Sequence, residues 1–198
     1  MAVEEINIPF HRQGTFLSLR LLGACGMIGA PMMLVEGLYR YLAHMADNQN
    51  NQIDGVLGLI YIGGWMCSAI GMRRLRVTGS GIWGMSVSAV QMVGLLLAGL
   101  WSMQEIVHFN ALAGSELFSI TDAAWPLSHL FMLVVGGFVL GAGVWHGWRR
   151  VPAFLCGLAL LAFFIASAVG VREVGLVLFP VMTMIGFMSL GYAVRTSR

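Results

Sequence analysis

No lysine occurs among the 198 residues, and all eleven basic side chains are arginine. That absence removes Schiff-base chemistry, so neither retinal nor pyridoxal phosphate can be held covalently. Charge of either sign is scarce: 10% of the residues are charged, against 58% apolar, which is the composition of an integral membrane protein. Nearly the whole length is then needed for spans, which leaves no room for a separate soluble domain. Cysteine is sparse too. Cys25, Cys67 and Cys156 all fall in apolar runs and form no CxxC pair, so they read as small apolar filler rather than as redox or metal-binding thiols. A phosphate-cradling glycine loop at a strand–helix turn is missing, and the RRLR of 73–76 is explained as topogenic charge, so no nucleic-acid partner is expected.

What is present is a series of apolar runs at 17–42, 53–72, 81–104, 123–148, 152–171 and 173–194. Each is long enough for a helix to cross about 30 Å of hydrocarbon. These runs predict an all-α integral membrane protein with six transmembrane helices, in a single transmembrane domain over 1–198. The first run is too long for a signal peptide and lacks a small-x-small cleavage site, so it reads as a retained helix. With both termini placed inside, Arg12, Arg20, Arg73, Arg74, Arg76, Arg149, Arg150, Arg195 and Arg198 share the inner side, and Arg40 and Arg172 lie outside. This positive-inside bias predicts an N-in/C-in topology of three helical hairpins in one bundle, in a cell membrane of the bacterial inner-membrane kind. The expected partners are the lipid bilayer and either other membrane subunits or a second copy of the chain.

The run TDAAWPLSHLFMLVVGGFVLGAGVWHGWRR, residues 121–150, is the expected hub of the bundle. Thr121 or Asp122 would cap it and Pro126 would sit near its first turn, where a missing N–H costs little. Trp125, Trp145 and Trp148 suit the interfacial aromatic belts. Gly137 and Gly141, four residues apart, offer a small face for a neighbouring helix, although such spacings arise easily among 26 glycines. In the first run, Arg40 follows Glu36 by four residues, the favourable order for a helical ion pair. Asp54 is placed to cap the second span, Pro180 to kink the sixth, and the long 105–124 connection to hold an amphipathic interfacial helix.

Ionisable groups inside a span are costly and are candidates for function. The deepest are Glu36 and His129. Glu36, Glu105 and Glu173 recur at intervals of 69 and 68 residues, each at the outer end of a span, a period that evenly spaced hairpins also produce by themselves. Glu105 and His108 form a Glu-x-x-His pair on one helical face, the spacing of carboxylate–histidine metal sites in bundles. The expected ligand-binding set is His129, Glu36, Glu105, His108 and Glu173, and the expected divalent-metal set is His129, Glu105 and His108. Haem b between His129 and either His108 or His44 is the other cofactor the pattern allows. Ser128 beside His129 makes no catalytic dyad, because helical neighbours point about 100° apart. The expected function is therefore non-enzymatic: an outward-facing His/Glu pocket that binds or passes a small ligand, proton or metal ion. The alternatives are an accessory or scaffold subunit without a site of its own, and a haem-binding electron carrier.

Overall fold

The computed structural model describes residues 13–44, 51–107 and 116–197. Among them every regular element is a helix: α1 (Gln13–Gly29), α2 (Met32–Leu42), α3 (Gln52–Arg74), α4 (Ile82–Val107), α5 (Glu116–Ala142), α6 (Val151–Ala168) and α7 (Arg172–Thr196), with a 3-10 turn over Gly147–Arg150 before α6. Six stretches are long and apolar enough to cross a membrane, α1 and α2 together forming the first over Leu19–Leu42. Helix is the form such sequences must take in hydrocarbon, where each backbone N–H and C=O needs a partner within its own segment.

Proline acts differently at three of its positions in the spans. Pro31 divides the first span, ending α1 at Gly29 and starting α2 at Met32, because its ring cannot donate to the preceding turn and crowds the carbonyl there. The sequence predicted no break at this point. Pro180, the expected kink, lies buried inside an uninterrupted α7. Pro126 lies within α5 rather than near its first turn, since the helix begins at Glu116.

The helices close into a ring in which α1 packs on α3, α3 on α4, α4 on α5, α5 on α6, α6 on α7, and α7 returns to α1. The expected hub, α5, is thus one stave among six, packed mainly on α4 and α6. It also ends earlier than predicted. Gly143 takes φ +64°, a left-handed conformation that stops a helix and suits glycine. Trp145 then turns inward, 4% exposed, and its indole N–H donates to Ser197 Oγ at 3.1 Å, so it is a core residue and no interfacial anchor. Trp148 stays half-exposed and stacks on Tyr192.

The closest helix approaches involve glycines other than the expected pair. Nothing lies within 4 Å of where a side chain would start at Gly137 or Gly141. Instead α1 meets α3 at glycine: a Cβ on Gly29 would stand 2.8 Å from the Gly64 Cα, and one on Gly64 would stand 2.8 Å from the Cys25 carbonyl oxygen. A Cβ on Gly191 of α7 would meet the Gly23 carbonyl oxygen at the same distance. Small residues win here because, with lipid as apolar as the side chains, close backbone packing supplies the attraction between helices.

The expected interfacial helix of 105–124 is not seen as such. Ile106 lies in the last turn of α4, and Leu117 and Ile120 belong to α5; residues 108–115 lie outside the described residues.

Candidate functional site

The bundle has two chemically distinct ends. At one, Arg149 Nη2 reaches the Thr196 carbonyl at 3.3 Å, Arg73 Nη1 reaches the Gly79 carbonyl at 3.3 Å, and Arg150 donates to the Trp145 carbonyl. At the other, Gln52 at the start of α3 donates to the Ile106 carbonyl at the end of α4, and Asp54 pairs with Arg40 of α2 at 2.8 Å. This second end holds a cavity of about 180 Å³ walled by α2, α3, α4 and α5.

Four carboxylates line it: Glu36, Asp54, Glu105 and Asp122. Asp54 does not cap α3, because Asn51 does so, its Oδ1 accepting from the Asp54 N–H at 2.9 Å. That frees the Asp54 side chain, 2% exposed, to turn inward. Its Oδ2 takes Arg40, so Arg40 is bound to Asp54 across two helices rather than held in the expected pair with Glu36. Oδ1 of Asp54 is buried and has no hydrogen-bond partner. Glu36, Asp54 and Glu105 sit close enough to act on one another's charge. Arg40, bound to Asp54, is the guanidinium that acts on Glu36 and Glu105 as well.

The wall between the acids is aromatic. Tyr61, Trp101 and Trp125 face the cavity, with the buried Ser102 hydroxyl among them. Gly58 of α3 makes room for that hydroxyl, since a Cβ there would stand 2.7 Å from Ser102 Oγ.

His129 lies beneath this wall, fully buried and pointing into the bundle. Its Nδ1 is 3.1 Å from the Trp125 carbonyl and its Nε2 is 2.8 Å from the Tyr61 hydroxyl. A carbonyl can only accept, so Nδ1 carries the proton; in the neutral ring Nε2 is then the acceptor and Tyr61 donates. The rings of Trp65, Trp125, Phe179 and Phe187 pack around the imidazole, with centroids 4.6 to 5.9 Å away.

The expected site residues therefore separate. Glu36 and Glu105 come together in the cavity. His129 reaches neither; its partner is Tyr61, which joins the histidine to the cavity and which the sequence reading did not single out. Glu173 is exposed in the first turn of α7 and does not line the cavity. His108 lies outside the described residues. Among the described residues, no three His, Cys, Asp or Glu side chains stand together where they could hold one metal ion. Both nitrogens of His129 are engaged inside a packed aromatic cluster, which leaves neither for haem, and His44 is exposed at the end of α2. Asp54 and Tyr61 were legible only in part: a carboxylate in the first turn of an apolar run, and a tyrosine at its mid-depth, are the signals that could have found them.

In sequence and in fold, the chain matches no protein-family model, no curated protein and no solved structure.

Proposed function

We propose that this chain is a multi-pass protein of a cell membrane, of the bacterial inner-membrane kind, whose acidic cavity binds or passes a small cationic species. The observation that carries the reading is Asp54: a buried carboxylate whose Oδ1 lacks a partner, in a cavity with three further acids. Burial without a partner costs several times the net worth of an ordinary hydrogen bond, so a charge-complementary guest is the natural compensation. The N-in/C-in topology in three hairpins belongs to this reading. It puts the arginine-rich end inside and opens the cavity outward, supported by the arginine count and by the charge difference between the two ends.

The test is the unfolding midpoint of the protein in lipid nanodiscs, measured against inorganic and organic cations at constant ionic strength. A cation that binds the folded state raises the midpoint by mass action. The rise should be absent in a Glu36→Gln, Glu105→Gln double variant. If no cation moves the midpoint of the parent, the cavity reading fails.

A second reading, an accessory subunit of a larger membrane assembly, is favoured by one observation. Gly137 and Gly141 line a shallow groove between α4 and α5, open on the outside of the ring, where another helix could approach closely.

A further inference from the structure

Resting on the cavity reading above, we infer that the cation is a small protonated amine. Its ammonium N–H donates to Asp54 among Glu36 and Glu105, and its alkyl groups lie against Tyr61, Trp101 and Trp125.

Three features of the cavity select this class. The first is the alternation of its walls. Carboxylates are interleaved with three aromatic rings and with the apolar side chains of Met33 and Ile62. A hydrated inorganic ion would find no use for the rings, whereas an alkylammonium presents both a charge and a greasy shell, and ring faces attract such cations. The second is size. A cavity of about 180 Å³ is far more than a bare ion or one water occupies, and no three acids converge to form a cation cage among the described residues.

The third is preorganisation. The Trp101 ring packs on Phe118 with centroids 4.5 Å apart. Trp125 packs on His129 at 4.6 Å and on Phe179 at 5.6 Å. Tyr61 is held by its hydrogen bond to His129. The rings are thus held from behind, so little side-chain freedom remains to be lost on binding. On this view His129 is a positioning residue: it never meets the amine but orients the Tyr61 ring that does. The unpartnered Asp54 oxygen calls for a donor, which makes an N–H-bearing amine a better guest than a quaternary one.

The experiment follows tryptophan fluorescence of the full chain in nanodiscs, since Trp101 and Trp125 form part of the wall, with the unfolding midpoint as a second readout. The probes are trimethylammonium, tetramethylammonium, the neutral isostere tert-butyl alcohol, and the inorganic cations Na⁺ and Mn²⁺. Trimethylammonium should give a saturable change, tetramethylammonium should bind about tenfold more weakly for want of the charge-assisted hydrogen bond, and tert-butyl alcohol should do nothing. Glu105→Gln should weaken trimethylammonium by about tenfold as well. The probe series on the parent chain needs no variant to fold. An equal response to tert-butyl alcohol, or an equal response to tetramethylammonium, overturns the inference. A response to Na⁺ or Mn²⁺ alone overturns it while leaving the cavity reading intact, and silence to every cation overturns both.

Discussion

Tyr61 is the residue on which two parts of this molecule depend, because its ring faces the acidic cavity while its hydroxyl satisfies the only acceptor nitrogen of a fully buried histidine. Removing the hydroxyl leaves that nitrogen without a partner inside an aromatic cluster, where water cannot replace it. Tyr61→Phe should therefore lower stability by about 1–3 kcal/mol, the cost of an orphaned buried polar group, read as a lower unfolding midpoint in detergent or nanodiscs. A midpoint equal to the parent's would mean that the bond contributes nothing. The same geometry makes a spectroscopic prediction. Nitrogen-15 NMR of labelled His129 should show the proton on Nδ1, because only that tautomer serves the Trp125 carbonyl and the Tyr61 hydroxyl together. A proton found on Nε2 alone would refute the arrangement.

Among the helices, substitutions at two glycines within the spans have opposite consequences, and what faces each glycine decides between them. Gly64 of α3 lies against α1 with no space for a methyl group, so Gly64→Ala forces the helices apart or strains them. A loss of about 1–3 kcal/mol is expected from such overpacking. Gly137 of α5 faces open space, and Gly137→Leu should change the midpoint of the isolated protein by no more than about 0.5 kcal/mol. The pair of variants compared by thermal unfolding checks both statements: if Gly137→Leu proves the more damaging, the ring order of helices is wrong. Should Gly137→Leu leave the midpoint alone but abolish copurification of another membrane subunit, the groove is a helix-docking face. The turn after α5 has its own determinant. Trp145→Phe removes the indole bond to Ser197 and should cost about 0.5–1.5 kcal/mol by the same measurement.

At the scale of the whole molecule, charge is sorted by end. The six acids among the described residues, Glu36, Asp54, Glu105, Glu116, Asp122 and Glu173, belong to the cavity end or its helix termini, while Arg73, Arg74, Arg76, Arg149, Arg150 and Arg195 belong to the other. Reporters fused after Arg76, Arg150 or Arg198 should accordingly score as cytoplasmic and those at Asn50 or Ser115 as external; a cytoplasmic Ser115 reporter would break the topology. The number of spans and most of their limits followed from sequence alone, since roughly 20 consecutive apolar residues have few other folds open to them in hydrocarbon. Glu36, Glu105 and His129 likewise stood out as polar groups in apolar runs. Their partners did not. Whether Arg40 reaches Glu36 one turn away or Asp54 on the next helix, whether His129 meets a carboxylate or Tyr61, and which glycines touch a neighbour all depend on the rotation of each helix about its axis. That rotation leaves little trace in spans that are apolar on every side. It is settled by close packing between helices, which joins residues 14 and 68 positions apart and which only the assembled ring of six spans contains.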